Sequence, residues 1–119
     1  MHSSSGSDAF SREVLKAAVA GNQMLAERVA GAFLTIKPEL QSRLSDALTA
    51  RDLDTAARAV HELRGMAGVM GARRLALAAA AVETGAADAA PEQLAELQAN
   101  LAVEWEAVAM VLAAPSPAR

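Results

Sequence analysis

Long stretches of this chain carry apolar residues at steps of three or four, and this spacing constrains the fold more than any other feature. The longest stripe consists of Leu25, Val29, Phe33, Ile36, Leu40, Leu44 and Leu48. Another consists of Leu94, Leu97, Leu101, Trp105, Val108 and Leu112. Residues at this spacing lie on one face of an α-helix, whereas a strand alternates at every second residue. The pattern therefore predicts long amphipathic helices that each bury one face.

The composition of the chain also favours helices. The chain has 119 residues, which suffices for one domain with a single core. Hydrophobic residues make up 53% of the chain, much of it alanine, while only 3% is aromatic. Alanine favours helices, and the residues that favour sheets are few. We therefore predict an all-α fold, an antiparallel up-down four-helix bundle over residues 8–114 with a short extra N-terminal helix.

Local signals mark the ends of the first two helices. Ser7 or Asp8 can cap a short first helix that ends near Ala20. Its inner face would carry Phe10, Val14, Ala17 and Ala18. The second helix starts near Asn22, and although Pro38 removes a backbone donor within it, the apolar stripe keeps its phase. We therefore expect one long helix with a kink rather than two separate helices.

The remaining boundaries follow from aspartate, glycine and proline. Asp52 is a suitable N-cap for a helix that runs to Met70 and is broken by Gly71. A further helix follows directly, and the small and polar residues 84–90 predict a loop after it. Pro91 suits the first position of the last helix.

Charge and composition argue against several functions. The net charge is −3 with both signs mixed along the chain, so no basic face for nucleic acid is expected. The longest apolar run, Leu75–Val82, is far too short to span a membrane. Cysteine is absent, which excludes thiolate chemistry and fits a reducing, cytoplasmic compartment. Residues 1–7 look like a purification-tag remnant or a polar linker, and we expect them and the tail 115–119 to be disordered.

His61 is the only histidine away from the extreme N-terminus, and helical geometry directs its side chain to solvent. At about 100° per residue, an apolar face lies roughly 140–240° from His61. That face consists of Ala56, Ala59, Leu63, Met66, Ala67 and Met70. The residues within about 60° of His61 are charged or glycine, namely Asp54, Arg58, Arg64, Gly65 and Gly68. His61 therefore lies opposite the predicted core.

The glycines beside His61 are unusual for a helix. Glycine inside a helix costs about 1 kcal/mol relative to alanine, which is abundant in this chain. Gly65 and Gly68 follow His61 by one and two turns on the same face, so the imidazole is open to close approach by another molecule. Arg64 can offer a positive charge and forked donors to an anion on the ring. These surroundings suit a phosphoryl acceptor.

The whole segment resembles the signature of histidine-containing phosphotransfer (HPt) domains of multistep phosphorelays. The similarity runs through His61, Leu63, Arg64, Gly65, Ala67, Gly68, Gly71, Ala72 and Leu75. It extends to flanking positions, namely Phe33, Pro38, Leu40, Leu44, Ala47, Leu48, Asp52, Val82 and Glu83, and covers residues 22–113. This sequence differs at Arg64, where lysine is commoner, and carries an acid at Glu62, where the family has no fixed choice.

The resemblance implies roles for individual residues. His61 would be the phosphorylated nucleophile, through Nε2, and Arg64 would stabilise the phosphoryl oxygens. We expect Glu62 to destabilise phosphorylated His61 mildly through like-charge repulsion. Gly71 would serve as the structural break after the site helix. The surface that docks a partner would comprise Gly65, Gly68, Arg58 and Glu62.

The resemblance also implies partners and a setting. The partners would be response-regulator receiver domains, one upstream and one downstream. Mg²⁺ would be bound by the receiver, and this domain would bind no cofactor. The domain would be a monomeric phosphocarrier without autokinase activity in a bacterial cytoplasm, either free-standing or the C-terminal module of a hybrid sensor kinase.

Two other functions stay open at this point. The stretch His61-Glu62-Leu63-Arg64 also resembles the start of the phospho-acceptor box in the dimerisation domain of sensor histidine kinases. That box continues to a proline, whereas here none follows until Pro91, and such a domain would be an obligate dimer. The other possibility is a helical interaction bundle without chemistry. A metal site is disfavoured because the helical stripes are almost wholly apolar.

Overall fold

Five α-helices and their connections make up residues 9–114, the part of the chain that the computed structural model describes. They are α1 (Arg12–Ala18), α2 (Gln23–Thr49), α3 (Leu53–Met70), α4 (Arg73–Gly85) and α5 (Pro91–Ala113). Packing of α2 on α3, α3 on α4, α4 on α5 and α5 on α2 closes a four-helix bundle. The predicted all-α bundle with a short extra N-terminal helix is confirmed. The segments predicted to be disordered, 1–7 and 115–119, lie outside the described residues.

The start of α1 differs from the prediction. Its N-cap is Ser11, whose Oγ accepts a hydrogen bond from the backbone N–H of Val14 at 3.1 Å. The predicted caps, Ser7 and Asp8, lie outside the described residues. A serine closer to the apolar residues satisfies the first backbone donors, so the helix begins later than expected.

The buried face of α1 is also one residue out of phase with the prediction. The buried side chains are Leu15 within the helix, at 1% exposure, and Val19 at its C-cap, at 8%. Phe10 is only partly buried against the core. The short helix lies across α2 and α3, so its contacts with those helices select the inner face, and seven residues carry too little pattern to reveal it.

α2 is one continuous helix from Gln23 to Thr49 that passes through Pro38, which confirms one long helix rather than two. The second half of its apolar stripe is buried, at Leu40, Leu44 and Leu48. The first half is not fully covered. Leu25 is 41% exposed, and Val29 and Ile36 are only partly buried.

Both ends of α3 are as predicted. Asp52 is the N-cap, and its Oδ1 accepts a hydrogen bond from the backbone N–H of Thr55 at 3.2 Å. At the other end Gly71 adopts a left-handed conformation with φ of 74°. The next backbone N–H, of Ala72, donates to the carbonyl of Ala67 at 2.8 Å, which completes a Schellman motif. These caps fix the length of the helix that carries His61.

The helices α4 and α5 complete the bundle. α4 continues to Gly85, because the backbone N–H of Ala86 still donates to the carbonyl of Val82 at 2.9 Å, so the loop is 86–90 rather than 84–90. Pro91 opens α5 as predicted, and Trp105 is buried in the core.

Among residues 9–114, no helix is both long enough and apolar enough to cross a membrane.

Candidate functional site

His61 lies near the middle of α3, on its solvent-exposed side. Opposite it, the predicted inner face is buried at Ala56, Ala59, Leu63, Ala67 and Met70, while Met66 is partly buried. Because the core contacts fix the rotation of α3, they also fix the outward direction of His61. Within the described residues the imidazole makes no hydrogen bond or ion pair. The ring is therefore available to an incoming group.

Gly65 and Gly68 border the histidine on the exposed face, and the described structure gives no internal reason for glycine there. A Cβ atom at either position would meet no neighbouring side chain or other helix within 4 Å. Gly71 is different, since a Cβ atom there would lie 3.1 Å from Cγ1 of Val14 and its φ is positive. The fold requires the third glycine, whereas the first two leave open space beside His61.

Arg64 is held by a carboxylate on the neighbouring helix. Its Nη1 donates to Oε1 of Glu83 in α4 at 2.7 Å. Arg64 lies on the exposed surface of α3, about 60° from His61 on the α4 side. The sequence indicates the proximity of Arg64 to His61, but the pairing with Glu83 follows only from how α3 and α4 pack.

Glu62 lies on the opposite side of His61, towards α2. Its Oε1 accepts a hydrogen bond from Nη2 of Arg43 at 3.1 Å, and the same nitrogen donates to Glu39 at 3.2 Å. The hydrogen bonds to Glu39 and then Glu62 raise the pKa of Arg43. Because Arg43 partly compensates the charge of Glu62, the repulsion expected between Glu62 and phosphorylated His61 is smaller than the sequence alone suggests.

Arg58 lies one turn before His61 on the exposed face. No ion pair to Arg58 is present in the part of the chain that the structure describes. Its positive charge helps to lower the pKa of Asp52, but by less than either hydrogen bond from Thr55 does. Of the three arginines around His61 at positions 43, 58 and 64, Arg58 is thus the one that forms no ion pair among the described residues.

An apolar groove, which we call the α2–α3 groove, continues from the site along the seam between these helices. It has a volume of about 250 Å³ and is lined by Val29, Ala32, Phe33, Ile36, Met66, Val69 and Met70. Val69 is 56% exposed and lies about 80° from His61. The groove was not predicted from the sequence, although Val69 gave a signal, because it is an apolar residue outside the predicted inner face of α3.

Within residues 9–114 no group of three or more histidine, cysteine, aspartate or glutamate side chains could hold a metal ion. The chemical groups that the site does bring together are an open imidazole, an arginine one turn away and an uncovered glycine surface. These are the features that the resemblance to histidine phosphotransfer domains implies for the site.

Comparison with known families identifies the chain more closely. A family model described as "Hpt domain" matches residues 28–107, about two thirds of the 119 residues. The chain belongs to the Hpt-domain family. Members of this family are phosphocarriers in phosphorelays, lack kinase activity of their own and interact with receiver domains. No curated protein and no solved structure matches the chain.

Proposed function

We propose that this domain accepts a phosphoryl group on His61 from an aspartyl-phosphate receiver domain and passes it to another receiver. The observation that carries the proposal is the exposed His61 in the middle of α3, with an open flank at Gly65 and Gly68. These residues lie within the segment that matches the Hpt family. The domain binds no cofactor, and Mg²⁺ is supplied by the receiver.

The chemistry requires little from the carrier besides a positioned nucleophile. The lone pair of Nε2 of His61 attacks phosphorus, and the bond from phosphorus to the aspartate oxygen breaks with its electron pair leaving on the carboxylate. The proton on Nδ1 stays on the ring, and the second receiver reverses these steps. Phosphoryl transfer depends mainly on alignment and charge stabilisation, so the contribution of Arg64 is its positive charge near the phosphoryl oxygens.

The receiver docks over the open surface beside His61. Its backbone approaches Gly65 and Gly68, where no side chain intervenes, and its apolar side chains enter the α2–α3 groove. The exposure of Val69 supports this, because burial of apolar surface favours association. Arg58 and Glu62 lie at the rim of the docking surface. Because His61 is on a helix that the core holds in place, docking needs little rearrangement of α3.

The setting follows from this role. A carrier that shuttles between receivers needs the face around His61 uncovered, and a monomer provides this. We place it in a bacterial cytoplasm with its receivers, either free-standing or as a module of a hybrid sensor kinase. The closed packing of α2–α5 into one bundle supports a self-sufficient domain.

Transfer from a phosphorylated receiver tests the proposal. A labelled receiver with Mg²⁺ is mixed with the wild type and with His61→Gln, and the acid lability of the product is measured. We expect acid-labile label on the wild type and none on the variant, with both proteins folded by circular dichroism. Label on His61 from ATP alone would overturn the carrier role, and a stable dimer in solution would instead indicate the kinase dimerisation domain. No label from several receivers or from phosphoramidate, a small donor that needs no docking, would indicate an interaction bundle.

A further inference from the structure

The ion pair between Arg64 and Glu83 creates a competition at the site. Arg64 is one turn from His61, yet its Nη1 contacts Oε1 of Glu83 at 2.7 Å. The two side chains are 46% and 35% exposed. Ion pairs with this much solvent contact are worth little, so a stronger anion nearby can take the guanidinium away from Glu83.

Helical geometry selects Arg64, rather than Arg58, for contact with a group on His61. Side chains in a helix lean towards its N-terminus, so a residue covers the turn before its own Cα. Arg64 follows His61 by three residues and leans back over it, whereas Arg58 precedes His61 and leans away. The arginine that reaches the phosphoryl group is therefore the one that Glu83 holds.

We propose that Glu83 is a positioning residue that competes with the phosphoryl group of His61 for Arg64. Without phosphate, Glu83 holds the guanidinium on the α4 side of the site. After transfer, the doubly charged phosphoryl group offers a better set of acceptors, and Arg64 exchanges one anion for the other. Because phosphorylation breaks the pair between Arg64 and Glu83, phosphorylated His61 is less stable than it would be without Glu83. Its phosphoryl group is therefore transferred more easily to the next receiver. This inference rests on the proposed function.

The exchange with phosphoramidate measures this effect without any receiver. Phosphoramidate and His61 give phosphorylated His61 and ammonia, so one P–N bond replaces another and the reaction is reversible. The phosphorylated fraction is measured by ³¹P NMR at fixed phosphoramidate and ammonium, approached from both directions. Glu83→Gln keeps the size of the side chain and removes its charge. We expect it to raise the equilibrium constant about two- to fivefold.

Two controls separate competition from a general structural effect. Glu104→Gln removes another arginine–glutamate pair between neighbouring helices, since Arg74 contacts Glu104 at 3.1 Å between α4 and α5, away from His61. It should leave the equilibrium constant unchanged. In an Arg64→Ala background, Glu83→Gln should have a smaller effect than in the wild type, because its competitor is gone.

Each outcome bears on the inference in a definite way. An increase with Glu83→Gln that shrinks in the Arg64→Ala background supports competition. No increase, an equal increase with Glu104→Gln, or an undiminished increase without Arg64 would overturn it. Thermal unfolding of all variants shows whether they fold. If wild type itself accepts no phosphoryl group from phosphoramidate or from receivers, the proposed function fails, which is distinct from failure of the competition.

Discussion

Replacing Gly68 with alanine should separate what the fold needs from what the site needs. Gly68 is exposed in the last turn of α3, and a Cβ atom there meets no neighbouring group within 4 Å. Alanine is favoured over glycine in a helix by about 0.8–1 kcal/mol. For a domain of about 100 residues, this corresponds to a rise in Tm of about 4 °C. The variant should therefore be more stable than the wild type in thermal unfolding.

The same methyl group should slow transfer from a receiver. If the receiver backbone approaches the surface at Gly68, the added carbon forces the two proteins apart, and overpacking of this kind costs about 1–3 kcal/mol. We expect kcat/KM for transfer from a phosphorylated receiver to fall about tenfold. Phosphorylation by phosphoramidate, which needs no docked protein, should be unchanged.

Gly31 provides the matched control. Like Gly68, it is an exposed helical glycine with open space at the Cβ position, and it lies within α2. It lies about 160° around α2 from Val29, away from the α2–α3 groove. Gly31→Ala should raise Tm by a similar amount and leave transfer unaffected. If Gly68→Ala accepts phosphoryl groups from receivers as fast as Gly31→Ala does, close approach of the receiver does not require glycine at position 68.

Three further predictions follow from the helix ends and from His61 itself. Gly71→Ala should lower the free energy of unfolding by about 1–2 kcal/mol, measured by denaturant titration, because its φ is positive and Val14 is close. The hydrogen bonds from Thr55 lower the pKa of Asp52 in the folded protein below its value in the unfolded chain. The stability that they contribute is therefore complete above the pKa of the unfolded state and is lost as the pH falls through the pKa of the folded state. Asp52→Asn keeps a cap acceptor without titrating, so below about pH 4 it should lose less stability than wild type in urea titrations. His61→Gln should change stability by less than about 0.5 kcal/mol, since the ring has no partner among the described residues, and a large loss in thermal unfolding would contradict this.

The helix that carries the site could be predicted almost completely from the sequence. Its N-cap Asp52, its C-terminal Gly71 and its buried face all follow from local chemistry, because a cap bonds to its own first turn and a helix face repeats every three or four residues. The exposure of His61 and of the two glycines after it follows from the same periodicity.

Features that depend on how helices meet could not be predicted in this way. The pairs Arg43–Glu62 and Arg64–Glu83 each join residues on different helices, and their formation depends on the rotation and register of both. The α2–α3 groove is a similar case. The stripe of α2 predicts burial along its whole length, but in its first half Leu25 and Val29 are left partly uncovered.

The ion pairs around the site also determine what kind of recognition it offers. Arg43 is shared between Glu39 and Glu62, Arg64 pairs with Glu83, and Arg58 is left without an ion pair among the described residues. The uncovered surface is then mostly glycine and apolar groove, so shape and apolar contact, rather than net charge, should provide most of the docking energy.

Salt dependence of docking tests this reasoning. Screening weakens interactions between exposed charges, and the Debye length falls from about 10 Å at 0.1 M to about 3 Å at 1 M salt. If apolar contact dominates, the KM for a phosphorylated receiver should change less than about threefold across that range. In the Arg58→Ala variant, the KM should depend on salt concentration even less than in the wild type. A KM that rises tenfold or more with salt in the wild type but not in Arg58→Ala would show that the charge at position 58 directs docking. The glycine surface and the α2–α3 groove would then contribute the smaller share of the docking energy.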